Sequence, residues 1–109
     1  MALNAHTLAV RPALERRWAD ALAAFDASAE IGVLGTPTRA DTVERLSQLL
    51  RQGGVDPVAW YGVWLFADWL ELPVETTDVQ AVAGVELQAS LRDPCRQLSR
   101  VFHLVGHRR

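Results

Sequence analysis

The one cysteine of the chain follows a proline, in the run Asp93-Pro94-Cys95-Arg96. A thiolate at the start of a helix is favoured electrostatically. No histidine lies near it in sequence, so a small, buried, unreactive side chain is the simpler reading of Cys95. His6, His103 and His107 show none of the spacings of a metal site, and no metal centre is expected. His103, between Phe102 and Leu104, reads as a packed or edge histidine of a strand. Trp60, Trp64 and Trp69 could stack on bases, but they have no basic surroundings, which favours core or interface packing. Asp68 falls just past the C-terminal part of an apolar strand, where α/β folds gather functional groups; a loop or cap acceptor is the competing role. Arg92 suits a helix-end cation, and Arg96 stands at pairing distance from Asp93. No catalytic residue is assigned.

These residues hang on an apolar stretch, 56–72, DPVAWYGVWLFADWLEL. Read as a strand over 58–66, its alternate positions are apolar on both faces, which predicts cover on both sides and a neighbour on each edge. Around it, Pro12 is placed to open a helix over 12–27 with Leu14, Trp18, Ala21, Leu22 and Phe25 on one stripe. That stripe is wide and aromatic and calls for a packing partner. Residues 28–37, with Gly32, Gly35 and Pro37, read as a loop. Thr38 and Asp41 have capping-box spacing for a second helix carrying Val43, Leu46, Leu49 and Leu50, with Gly53 ending it in the left-handed conformation. Thr77 and Gln80 repeat that spacing before a third helix lined by Val79, Val82, Ala83, Leu87 and Leu91. Asp93-Pro94 breaks it and restarts a short helical turn. The last strand is 101–106, and 2–10 is a candidate third strand.

Composition narrows the function classes. The 109 residues allow one domain, and 50% hydrophobic residues predict a real core. A net charge of −2 argues against a broad nucleic-acid or membrane-surface patch. The basic residues are all arginine. One cysteine excludes an intramolecular disulfide and fits a reducing, cytoplasmic setting. No apolar run reaches the ~20 residues of a spanning helix, and the N-terminus has no signal-peptide pattern. A helix-turn-helix reading fails on the long connection between the first two helices and the acidic first turn of the second.

Four segments together carry a resemblance. WYGVWLFADW resembles the Gly-Val-Arg-Val-Phe-x-Asp strand of certain class I S-adenosylmethionine-dependent methyltransferases, and VELQASLRDPCRQLSRVFHLVGHR resembles their closing segment with its Asp/Glu-Pro-Tyr-Arg motif. NAHTLAVRPALERRWADALAAFD and LGTPTRADTVERLSQLLRQGG are similar to the helical insertion and last-helix regions before them. The tRNA carboxymethoxyuridine methyltransferase type is the nearest kind. The resemblance covers the chain but only the C-terminal half of such an enzyme. It implies an α/β, partial Rossmann-like methyltransferase fold, helix-rich, with two or three strands. In it, 12–37 would be the helical insertion, 38–72 the last helix and sixth strand, and 73–109 a helix and the seventh strand.

The resemblance further implies methyl transfer from S-adenosylmethionine to a tRNA or small-molecule acceptor. The Gly-rich cofactor turn of the family has no counterpart here, so activity is expected only on completion by a cofactor-binding half. Arg96, Arg92 and Asp68 match family positions on the substrate side and become candidate substrate contacts. Trp64 stands where the family strand has Arg, and Cys95 where its motif has Tyr. The alternative is a catalytically inactive module acting in protein association, as a homodimer or with a complementing chain, through the aromatic strand region.

Overall fold

The computed structural model describes residues 1–31, 35–73 and 78–109. Gly32 of the expected loop and Thr77 of the expected cap lie outside them. Among the described residues five strands, β1 (Ala2–Asn4), β2 (Ala29–Ile31), β3 (Pro37–Asp41), β4 (Val55–Val63) and β5 (Val101–Arg108), form one mixed sheet in the order β2-β3-β1-β5-β4. Among the described residues five α-helices accompany it: α1 (Val10–Leu14), α2 (Trp18–Ala24), α3 (Val43–Gln52), α4 (Phe66–Leu70) and α5 (Val79–Leu91). The mixed α/β class is as expected; the strand count is higher than two or three.

The extra strands come from the stretch read as loop and cap. Residues 29–31 and 37–41 pair antiparallel as a hairpin, Glu30 opposite Thr38, and β3 then runs parallel to β1 with Leu3 opposite Ala40. Thr38 and Asp41 are therefore strand residues and not a capping box. The cap of α3 is Thr42, whose hydroxyl accepts from the Arg45 N–H at 3.1 Å. Asp41 is instead held between Arg39 and Arg45, each at 3.2 Å. One further strand expectation shortens: β1 ends at Asn4, and a 3-10 turn over Ala5–Thr7 follows.

β5 lies between β1 and β4 and is antiparallel to both. Its alternate residues bond to different neighbours, because each antiparallel residue points both its N–H and its C=O one way. The residue before β5 joins both sides: the Arg100 carbonyl accepts from Asn4 N–H at 2.8 Å and its N–H donates to the Trp64 carbonyl at 3.1 Å. β4 is an edge strand: β5 is its only strand neighbour among the described residues, where a neighbour on each edge was expected. It spans 55–63 rather than 58–66, with a register shift at Pro57, a residue that cannot donate to a ladder. Gly62 allows the close approach beneath it: a Cβ there would stand 2.6 Å from the Ser99 hydroxyl and 2.9 Å from the Arg96 carbonyl.

The core is small and centred on Phe102, which is almost wholly buried and meets Trp60 edge to face at 6.4 Å. Leu46 and Leu50 of α3 line a cavity of about 250 Å³ together with Phe102 and Leu104 of β5. Beside this apolar centre is a buried polar knot. Asn4 Nδ2 donates to the Gln97 and Ser99 carbonyls at 3.1 and 3.0 Å, its Oδ1 accepts from His6 N–H at 3.0 Å, and the Thr7 hydroxyl donates to the Ser99 carbonyl at 3.2 Å.

Three helix expectations change. The helix over 12–27 is two short helices, parted at Arg16, which adopts φ 61°; neither glycine nor proline occupies 15–17 to announce the break. Of its stripe only Ala21 is buried. α5 turns Val82, Glu86 and Ala89 inward, leaving Val79, Leu87 and Leu91 exposed. Asp78 caps α5, accepting from Ala81 N–H at 3.1 Å.

The left-handed residue after α3 is Gly54 at φ 82°, not Gly53, which stays at φ −89°. Gly54→Ala should therefore cost about 1 kcal/mol in urea unfolding, since a side chain is strained at positive φ, and Gly53→Ala should be nearly neutral.

Candidate functional site

Asp68, in the first turn of α4, lies in a half-buried charge cluster drawn from four parts of the chain. Its Oδ2 is 3.3 Å from Arg11 of α1 and its Oδ1 is 3.2 Å from Arg100, the residue before β5. Arg100 also pairs with Glu30 of β2 at 3.0 Å, and Arg11 with Glu71 at 2.9 Å. Arg11 donates to the Asp68 main-chain carbonyl as well and lies 5.3 Å over the ring of Trp69. The Trp69 indole N–H donates to the Leu98 carbonyl at 2.9 Å. Each oxygen of Asp68 thus has a cation. A carboxylate so held ties helices to sheet and is a poor general base, because both its oxygens already have charged donors.

Arg96 is fixed from two sides. It forms a two-pronged pair with Asp93, 2.8 Å on each prong, and its guanidinium lies 4.1 Å over the ring of Trp60 while donating to the Trp60 carbonyl at 3.2 Å. The hydrogen bonds from Arg96 are the main cause that holds the Asp93 carboxyl below the usual carboxylate range, with Gln97 adding a donor at 3.2 Å. The same pairing with Asp93 raises the pKa of Arg96.

Arg92 stands at the C-terminal end of α5, exposed, with no ion pair among the described residues. It lines an open, mostly apolar groove of about 530 Å³ with Phe66, Gly84, Val85, Ala89 and the half-buried Cys95. The three candidate residues accordingly occupy different settings. Arg92 shares a groove with Cys95, Arg96 lies against β4, and Asp68 is enclosed by arginines.

The aromatic residues divide as well. Trp60 and Trp69 are engaged by arginines, whereas Trp64 is exposed and left-handed at φ 60°, its carbonyl accepting from Arg100 N–H at 3.1 Å. His103, opposite Tyr61 on the sheet, is exposed. Among the described residues no group of three or more His, Cys, Asp or Glu side chains could hold a metal ion.

Glu86 is the residue that sequence reading passed over. β4 stops at Val63 because Trp64 turns left-handed and α4 begins, and α4 has no cap of its own. Glu86 supplies one from α5: its two oxygens accept from Leu65 N–H at 3.1 Å and Ala67 N–H at 2.8 Å. The signal was an acidic residue between Val82 and Ala89, on the side that α5 turns inward. Arg11 and Arg100 gave no local sign, since their partners are distant in sequence.

The described residues do not fit S-adenosylmethionine. Among the described residues the sheet has one parallel strand leading through a tight turn into a long helix, β3 into α3, and the residue between them is Thr42, with a side chain where close approach of a cofactor needs glycine. Gly53 and Gly54 follow a helix instead. No protein-family model matches the chain, and no curated protein matches it.

Two outcomes test the site's physics. Glu86→Ala should cost about 1–2 kcal/mol, the usual cost of a lost helix cap, and should speed amide exchange of Leu65 and Ala67; Glu86→Gln, which keeps one acceptor, should cost less. The Asp93 pair works through a carboxyl whose folded pKa is depressed. Its stabilisation is present above the ordinary carboxylate range and is lost as pH falls through the folded value. Asp93→Asn should therefore flatten the acid limb of a melting-temperature against pH curve and leave its neutral-to-alkaline limb unchanged in shape.

Proposed function

We propose that the chain is the acceptor-side part of a class I S-adenosylmethionine-dependent methyltransferase fold, contributing to methyl transfer onto a tRNA or small-molecule acceptor in company with a cofactor-binding half. The observation that carries the reading is the placement of the final strand. β5, which the resemblance assigns to the seventh strand, lies antiparallel beside β4, which it assigns to the sixth. The resemblance of residues 60–69 and 85–108 supports the same assignment of strands. In this reading Arg92, Arg96 and Asp68 belong to the acceptor side, Arg92 being the one whose guanidinium lacks an anionic partner among the described residues.

The remaining edge of β1 carries β3, paired over only two residues, Leu3 with Ala40 and Asn4 with Asp41. On this reading β3 gives up that short pairing when a cofactor-binding half extends the sheet. A second reading, a catalytically inactive module that associates with other chains, is favoured by the large apolar side chains left uncovered, among them Trp18, Leu22, Phe25 and Leu87.

Titration calorimetry of the 109-residue chain with millimolar S-adenosylmethionine should give no binding heat. Heat of binding would overturn the need for a cofactor-binding half. Sequencing the DNA upstream of the Met1 codon checks the family assignment. An in-frame strand–Gly-x-Gly–helix segment, or a separate open reading frame encoding one, is expected; the lack of either would favour the association module.

A further inference from the structure

The chain exposes far more surface than its size requires. A self-contained monomer of 12.0 kDa exposes about 6,000 Å², whereas this chain exposes 7695 Å². The surplus, about 1,700 Å² by the same scaling, is roughly twice what one partner contributes to a stable interface. Its radius of gyration of 15.2 Å likewise exceeds the roughly 13 Å of a compact chain of this length.

The most concentrated part of the surplus is on α2. Trp18, Leu22 and Phe25 recur at the spacing of one helix face and are 65%, 73% and 73% exposed. Leu14, just across the break, is 57% exposed. The opposite side of α2, Asp20, Ala23 and Ala24, faces a cleft shared with α1 and β2. The apolar face thus points away from the rest of the chain, and α2 packs chiefly on α1.

The charges at its two ends are arranged against the helix's own preference. Cations are favoured at a helix C-terminus and anions at an N-terminus; here Arg16 precedes α2 and Asp26 follows it. Neither makes an ion pair among the described residues, unlike Arg17, which is held by Glu15 at 2.9 Å and Asp20 at 2.8 Å. A second α2 laid antiparallel on the first covers both apolar faces and sets Arg16 against Asp26 at each end. Such a contact is self-complementary, as a two-fold axis requires.

We propose that the Trp18–Leu22–Phe25 face is a homodimer interface, closed by reciprocal Arg16–Asp26 pairs between antiparallel α2 helices. This holds whether or not the chain takes part in methyl transfer, and its failure would leave that reading untouched.

Sedimentation equilibrium at micromolar concentration should show a dimer. Leu22→Glu should leave a monomer with an unchanged circular dichroism spectrum. Arg16→Asp and Asp26→Arg should each weaken the dimer about tenfold, two like-charge contacts replacing two opposite ones, and the double variant should restore it. Both exchanges suit the local backbone: aspartate tolerates the left-handed conformation of position 16, and arginine is favoured after a helix C-terminus. A wild-type monomer, a dimer that survives Leu22→Glu, or single exchanges without rescue by the double would each overturn the proposal.

Discussion

One buried asparagine carries much of the chain's connectivity. Asn4 closes β1, opens the 3-10 turn after it, and grips the carbonyls of Gln97 and Ser99 almost a whole chain length away. Those carbonyls belong to the segment that leads into β5, so the side chain fixes where that strand enters the sheet between β1 and β4. With Phe102 and Leu65 alone among the larger apolar side chains of the described residues exposed by 3% or less, the apolar core is thin, and register has to be set by hydrogen bonds that tolerate no slippage. A polar residue at this point costs desolvation, offset because both its amide hydrogens and its oxygen are used.

From that junction the charge cluster around Asp68 follows. Once Arg100 is placed by its neighbours, its guanidinium reaches Glu30 on β2 and Asp68 on α4, and Arg11 closes the group from α1. Half-buried ion pairs of this kind add little net stability, but they set direction. They tell the hairpin and two short helices, none of which buries much apolar area, where to lie. The candidate residues of the acceptor side are in consequence spread over separate neighbourhoods, and only Arg92 presents a charge without a local anion among the described residues.

How far this was legible in the sequence differs by element. α3, β5 and the break at Asp93-Pro94 could be read from periodicity and proline, because each is governed by contacts close along the chain. The β2–β3 hairpin was missed because Thr38 and Asp41 imitate a cap that Thr42 provides four residues later. α4 was hidden inside an apolar run: its cap, Glu86, arrives from another helix, and no local pattern encodes that. The stripe assigned to α5 was rotated for the same reason, since its inward face is chosen by the need to deliver Glu86. Asp93 as the partner of Arg96 was visible from spacing. The stacking of Arg96 on Trp60 was not, because it depends on how β4 lies beneath the 3-10 turn at Cys95–Leu98.

That stacking has an effect on how the molecule meets others. The carbonyl of Trp60 belongs to β4, whose only strand neighbour among the described residues is β5. Arg96 already donates to that oxygen. A strand arriving from another molecule would find this rung occupied by a cation anchored to Asp93, and Pro57 offers no N–H a few residues earlier. An open sheet edge is the usual seed of fibrous aggregation; here one ion pair and one imino acid guard it, and a chain with so much apolar surface can assemble through its helices without polymerising through its sheet.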